Sequence, residues 1–377
     1  MSPPEPALWR ALLGQPAQLR GLGPQAWLGV LSWASAEGVA GLLYERCVQQ
    51  GVEVPEPARL RLQASHRSTA ARNLQVLHEL GEVLTGLARC GAQVVVLPGL
   101  CLLPLLPDPG WRPMEDVDVL LPPGAWEATR AALVSLGLRP VRRHPGLLCR
   151  GCLVLDLHRD PLDCWRVRAR RHAAWIGPQE VWRERRQAEV EGVRMSVPCV
   201  EHQLLYTAAH AVKHAFQRLV WFVDLDLLTG QIPDWDGLAV RAQRSGLERA
   251  LLYGLTFLRQ QAGVGVPEPA RRWMEARPLR PLERRLLGQA FADRWHGGWG
   301  DVLWSLGVRG ARRWQFLAET CFPRPAVLLQ VYPRLPAVLL PLAYPLRLGQ
   351  AVGRAALLAR RVLRTPATAG EAGEGGT

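Results

Sequence analysis

The chain reads as an α+β protein in which a small mixed sheet is set between helical N- and C-terminal lobes. Three observations predict this. Before residue 90 apolar side chains recur at helical spacing, with Leu74, Val76, Leu77, Leu80, Val83, Leu84 and Leu87 on one stripe. Between 94 and 158 the apolar runs become short, β-branched and separated by Gly and Pro turns. From about Val200 onward the spacing is helical again.

Taken in order, residues 7–90 form the helical start, and Gly91 is the stop signal. Residues 94–97, Val-Val-Val-Leu, suit a buried strand. Pro98-Gly99 turns the chain into a short apolar segment, 100–106, and Asp108-Pro109-Gly110 is turn chemistry that delivers it to a strand over 116–121. Pro122-Pro123-Gly124 ends that strand, and a helix follows over 125–136. A further strand over 138–142, a hairpin around Arg150-Gly151 and a strand over 153–158 complete the sheet. Helices are expected at 201–218, 220–228, 236–245, 247–262, 268–276, 280–293 and 311–320. A Pro-spaced stretch, 323–345, leads to a basic amphipathic segment, 347–364, expected to pack on the helical lobe. Residues 365–377, rich in Gly, Ala, Glu and Thr, read as a disordered tail. The implied division is a helical lobe over 1–90, a sheet-bearing core over 91–198 and a second helical lobe over 199–364.

At 377 residues and 48% hydrophobic content the chain is large enough to bury a real core. The N-terminus lacks a charged region leading into an apolar one, and the apolar stretch 336–346 is too short and too rich in proline to span a bilayer, so the expectation is a cytoplasmic protein with no transmembrane segment. The net charge of +13 is nearly all arginine, because Lys213 is the sole lysine. Such a charge permits nucleotides, nucleic acid or anionic lipid as partners without choosing among them. Eight cysteines form no disulfide framework. Cys149 and Cys152 are expected opposite each other across the hairpin as reduced thiols; a zinc site would need Cys164 and His158 as well, and a single CxxC lacks the paired spacing of such sites.

The chemistry concentrates in Asp116-Val117-Asp118. Residues i and i+2 of a strand share a face, so the two carboxylates stand side by side while Val117, Val119 and Leu121 turn into the core. Like charges that close repel unless a cation lies between them, and oxygen-rich pairs of this kind suit Mg²⁺ with substrate phosphates. On the 153–158 strand, Val154, Asp156 and His158 share a face, which makes Asp156 a third carboxylate able to lie beside the first two. His158 is expected to orient Asp156 rather than bind metal. Glu115 points away from Asp116, and Asp108, Asp160 and Asp163 read as turn or surface acids. His210 and His214, four apart on one helix face, are expected to cap a cleft near Lys213 and Asp224. Trp165, Trp175 and Trp221 read as packing residues, and Arg166, Arg168, Arg170 and Arg171 as a solvated charged face.

The run from Val94 to Leu121, with its hydrophobic strand, Gly99, Asp108-Pro109-Gly110, Arg112-Pro113 and the Asp116/Asp118 pair, resembles the uncharacterised nucleotidyltransferase family of the polymerase-β-like superfamily. Asp156-Leu157-His158 is similar to that family's strand carrying the third acid, and His210 to His214 with Trp221 and Asp224 to its downstream helical motif. The resemblance implies a polymerase-β-like core in which Asp116, Asp118 and Asp156 hold Mg²⁺ or Mn²⁺. A nucleoside triphosphate such as ATP would be the substrate, contacted by Gly99, Arg112, Lys213 and His214. The implied reaction transfers a nucleoside monophosphate to an acceptor hydroxyl or phosphate. The acceptor (a small molecule, a natural-product intermediate, RNA or a protein) is not specified. Two departures from the family pattern stand out: Pro98 replaces the usual lysine and Leu100 replaces a Ser or Gly. A catalytically degenerate nucleotide- or partner-binding protein and a basic nucleic-acid-binding protein therefore stay open as other classes.

Overall fold

The computed structural model describes residues 19–165, 167–260, 263, 265–292, 299–308 and 310–364. The expected disordered tail, Arg166, and the start of the first helical stretch lie outside these residues. Three helices open the described chain: α1 (Pro24–Ala36), α2 (Ala40–Gln49) and the 34-residue α3 (Glu56–Arg89). The inward stripe of α3 includes Val76, Leu77, Leu80, Val83 and Leu87, as the spacing predicts, whereas Leu74 is exposed.

A seven-stranded mixed sheet follows, with spatial order β3-β4-β5-β2-β1-β7-β6. Its strands are β1 (Val95–Val96), β2 (Val117–Leu120), β3 (Arg139–Val141), β4 (His144–Arg150), β5 (Leu153–His158), β6 (Arg186–Val190) and β7 (Val193–Val197). Helix α4 (Trp126–Ser135) returns the chain from β2 to β3, and α5 (Pro178–Arg183) precedes β6. The α+β class and the small mixed sheet match the sequence expectation, but the β6–β7 hairpin was not foreseen. It joins the sheet where β7 runs parallel to β1, with Val95 opposite Ser196. The reason is composition: Arg186-Gln187-Ala188-Glu189-Val190 alternates weakly and carries charge on an edge strand, so it lacks the apolar signature of an inner strand.

The interior positions obey the pleat. On β5, Leu153, Leu155 and Leu157 are buried while Val154 and Asp156 stand half-exposed on the other face. β2 and β5 are parallel neighbours, and Asp118 lies directly opposite Asp156. At the other side of the sheet, α3 holds the approach to β2. The amide of Asn73, wholly buried, donates to the carbonyls of Pro109 (2.7 Å) and Arg112 (2.8 Å), and Arg72 donates to the carbonyl of Met114 (3.2 Å). A Cβ at Gly110 would sit 2.6 Å from the His66 ring, which would have to shift to admit it.

The β4–β5 hairpin corrects one expectation. Cys149 pairs with Val154 and Arg150 with Leu153, so the turn falls on Gly151-Cys152 and the two thiols do not face each other. Glu79 of α3 fixes this turn by accepting from the backbone amides of Cys152 and Leu153, both at 3.1 Å.

After β7 the chain is helical: α6 (Val200–Lys213), α7 (Val220–Thr229), α8 (Trp235–Ser245), α9 (Glu248–Gln260), α10 (Glu268–Glu275), α11 (Pro281–Ala292), α12 (Trp299–Gly307), α13 (Ala311–Cys321), α14 (Pro325–Val331) and α15 (Leu340–Arg364). The helix expected over 201–218 stops early. Ala215 and Phe216 both adopt positive φ (55° and 57°), which breaks the helix and turns the chain into α7. Phe216 is held there by stacking on Phe222 and by an edge contact with Phe291. Trp175, read as a packing residue, is 41% exposed. Among the described residues no helix is long and apolar enough to cross a membrane.

Candidate active site

The face of the sheet that carries Asp118 and Asp156 looks onto α6 and α7 across a cleft of about 390 Å³. Pro98 and Gly99 line one end of it, and Lys213, His214 and Trp221 line the opposite wall. The parallel register of β2 and β5 is what sets the acids side by side; Asp116, just before β2 begins, shares their face.

Each oxygen of Asp118 has a partner. Oδ1 is 2.8 Å from His158 Nε2, and Oδ2 accepts from the Tyr206 hydroxyl at 2.9 Å. His158 is 3.8 Å from Asp156 Oδ2, so the histidine orients Asp118 first, not Asp156 as the sequence suggested. The reason lies in the pairing: Leu120, not Asp118, is the cross-strand neighbour of His158, which leaves its ring to reach back along the face of β2 to Asp118.

The electrostatics are those of a crowded acid group. Asp116 is pushed up to about 6 by enclosure within the cleft, with the charges of Asp118 and Asp156 adding to it. Burial would likewise raise Asp118, but the charge and hydrogen bond of His158 outweigh it and hold that carboxyl well below the usual range. Burial opposes a charge on His158; Asp118 more than offsets this and lifts the imidazole to about 9, so it is protonated at neutral pH. Asp156 is raised by burial and by its acidic neighbours. Ligand atoms of Asp118, Asp156 and His158 all lie within 4.8 Å of one another. Three carboxylates against one imidazolium leave net negative charge, and an oxygen-rich donor set of that kind fits a hard divalent cation.

Several residues stand where sequence reasoning did not put them. Asp160 and Asp163 are buried rather than at the surface. Asp160 Oδ1 accepts from the backbone amides of Leu162 (3.2 Å) and Cys164 (2.9 Å), so its turn role holds. Asp163, at φ 53°, reaches Lys213 Nζ at 3.1 Å and fixes the sole lysine at the cleft. Arg112 is buried, and its Nε and one Nη donate to the two oxygens of Asp224, each at 2.8 Å. Its guanidinium also faces Gly99, whose φ of 142° only glycine adopts easily. Glu115 is exposed and pairs with Arg218 at 2.7 Å across the cleft mouth. Leu100 is buried, so the turn after Gly99 offers no hydroxyl to the cleft.

His210 and His214 do share a face, with ring centroids 4.5 Å apart, and both contact Trp221, at 5.0 and 5.3 Å. Trp221 is thus part of the cleft wall and not simply packing. Burial, aided by His214 and Lys213, holds His210 well below the ordinary histidine value, so it is neutral. Tyr206 was missed entirely. The one signal that could have found it is spacing: it lies four residues before His210 on α6, on the same face.

A second Glu/Cys/His group lies elsewhere, at Glu184, Cys199 and His202. There Arg241 is 2.9 Å from His202 Nε2 and 2.8 Å from Glu184 Oε2. An arginine can only donate, so His202 carries its proton on Nδ1, the nitrogen 3.2 Å from Cys199 Sγ. That nitrogen has no lone pair free for a metal, and the local charge is already balanced. Cys149 and Cys152 belong to neither cluster.

The sequence profile of a family described as an uncharacterised nucleotidyltransferase matches residues 23–263, a span that contains the whole cleft apart from Trp304. No curated protein and no solved structure matches the chain.

Proposed function

Because the chain belongs to the uncharacterised nucleotidyltransferase family, we propose that it transfers a nucleoside monophosphate from a nucleoside triphosphate to an acceptor hydroxyl or phosphate, releasing pyrophosphate. The observation that carries this reading is the parallel register placing Asp118 beside Asp156, with Asp116 on the same face. A divalent ion, Mg²⁺ or Mn²⁺, held by Asp116, Asp118 and Asp156 would screen phosphate charge and make the acceptor oxygen a better nucleophile.

The protein's own residues have separable tasks in this proposal. His158 and Tyr206 occupy both oxygens of Asp118 and keep its carboxylate in one orientation. The Gly99 turn allows close approach of phosphate oxygens to the backbone. Pro98 supplies neither an N–H nor a charge at that turn. We assign the missing charge to Arg112, whose guanidinium faces Gly99, and to Lys213 on the opposite wall, each held by a buried acid. Trp221 and His214 give a π surface on which a nucleobase can stack. We place the reaction in the cytoplasm, where nucleoside triphosphates are abundant.

The test is incubation with labelled nucleoside triphosphates, Mn²⁺ or Mg²⁺ and a panel of acceptors, beside an Asp116→Asn/Asp118→Asn variant. The wild type is expected to release pyrophosphate and label an acceptor, and the variant to lose at least about 10²- to 10³-fold of that rate. Equal rates in the two proteins would overturn the assignment. Metal-dependent nucleotide binding without turnover would instead support a degenerate binding protein, the reading that Pro98 and Leu100 favour.

A further inference from the structure

The last helices carry an unusual combination of charge and exposed apolar surface. Between Glu319 and Glu371 the chain has no acidic residue, but it has seven arginines, at 324, 334, 347, 354, 360, 361 and 364. Over the same span large apolar side chains lie open to solvent. Val338 is 82% exposed and Leu342 66%. Residues α15 turns inward include Ala343 and Leu358, while Leu342, Leu346, Leu348, Val352 and Leu357 are exposed along its length. Phe322, also exposed, extends the patch from the end of α13, since its ring lies 6.4 Å from that of Tyr344. Isolated exposed leucines are ordinary, but a row of them on one helix marks a surface that something covers.

We propose that this face, centred on α15, seats the protein on an anionic lipid bilayer. Charge and apolarity together select the occupant. A nucleic acid would match the arginines but would leave the leucine row in water. A lipid surface takes both, with apolar side chains entering the acyl boundary and the exposed Arg334, Arg354 and Arg360 meeting phosphate headgroups. At about 1.5 Å per residue, α15 is roughly 37 Å long. Its 25 residues contain Pro345 and several arginines, so it lies along the interface and does not span it. The face is separate from the catalytic cleft, and the inference does not depend on the proposed reaction.

The test uses the full chain in vesicle co-sedimentation, with phosphatidylcholine alone against phosphatidylcholine containing about 30 mol% phosphatidylglycerol. Pelleting with the anionic vesicles is expected to exceed that with neutral ones at least tenfold, and to weaken as salt is raised, by an order-of-magnitude argument. Leu342→Asp with Leu346→Asp should abolish most of the binding, and Arg354→Glu with Arg360→Glu should do the same. All four positions are exposed, so circular dichroism and thermal unfolding should match the wild type. Equal pelleting of the wild type and the leucine variant would overturn the proposal, as would equal binding to neutral and anionic vesicles. So would RNA binding that is insensitive to the leucine changes, or a dimer in light scattering that those changes dissociate while vesicles remain unbound.

Discussion

Two clusters in this protein contain the same kinds of group and behave in opposite ways. Asp118, Asp156 and His158 stand in the cleft; Glu184, Cys199 and His202 stand beneath α8. Each has a buried histidine and at least one acid within ligand distance. In the first the histidine faces carboxylates and gains a proton, rising to about 9. In the second, burial and the charge of Arg241 push the histidine down. Residue type and spacing therefore do not make a cation site. The difference lies in the balance of charge: Arg241 pairs with both Glu180 and Glu184 beside His202, whereas the acids of the cleft outnumber the one imidazolium among them.

The largest expected difference is in metal response. Mn²⁺ titrated into the wild type, followed by water-proton relaxation, should bind at the cleft, and Asp118→Asn should weaken that binding by roughly 10- to 100-fold. Glu184→Gln should leave it unchanged. Equal weakening by both substitutions, or by neither, would end the distinction between the clusters.

How far the sequence revealed this depends on the range of the signal. The Asp116/Asp118 alternation and the Asp156 strand were legible because a period of two is local, and pairing β2 with β5 only had to bring them together. Gly99 and the Asp108-Pro109-Gly110 turn were legible for the same reason. The partners were not. Arg112 finds Asp224, and Lys213 finds Asp163, across 112 and 50 residues, and no spacing rule reaches that far. Asp163 looked like a surface acid because its partner is remote. Tyr206 looked like an ordinary helix residue until the sheet was placed beneath it. The β6–β7 hairpin escaped because β6 lies at the sheet edge and its charged positions dilute the alternation that marks inner strands.

The two histidines should also give pH dependences of opposite sign. His158 is raised from the ordinary 6.5 to about 9, so its contribution to stability is fully present below pH 6.5 and is lost as pH rises through 9. A shift of this size corresponds to about 2–4 kcal/mol. The charges facing it are Asp118, Asp156 and Asp163. His202 is lowered, so the unfolded chain binds the proton more readily, and stability falls as pH drops below 6.5. Chemical denaturation in EDTA from pH 5 to 9.5 should therefore lose its alkaline limb in His158→Gln and its acid limb in His202→Gln. A wild-type profile that stays flat from pH 7 to 9.5 would refute the raised His158.

The smallest effect, and the most direct test of the comparison, comes from removing the fixed cation. Arg241→Met keeps the length of the side chain but deletes the guanidinium shared by Glu180, Glu184 and His202. Glu180 retains Arg244, so only Glu184 and His202 lose their principal partner. The expected cost is about 1–3 kcal/mol, the range for leaving such groups without a hydrogen bond. His202 Nε2 then no longer needs to accept, the proton can move from Nδ1 to Nε2, and Nδ1 becomes available beside Cys199 Sγ. The cluster would acquire net negative charge with N, S and O donors, a set suited to Zn²⁺. Thermal unfolding with and without Zn²⁺ reads this out: stabilisation by zinc should appear in Arg241→Met, be absent in the wild type, and vanish again when Cys199→Ser is added. A variant that loses stability yet gains nothing from zinc would show that Arg241 is not what separates the two clusters.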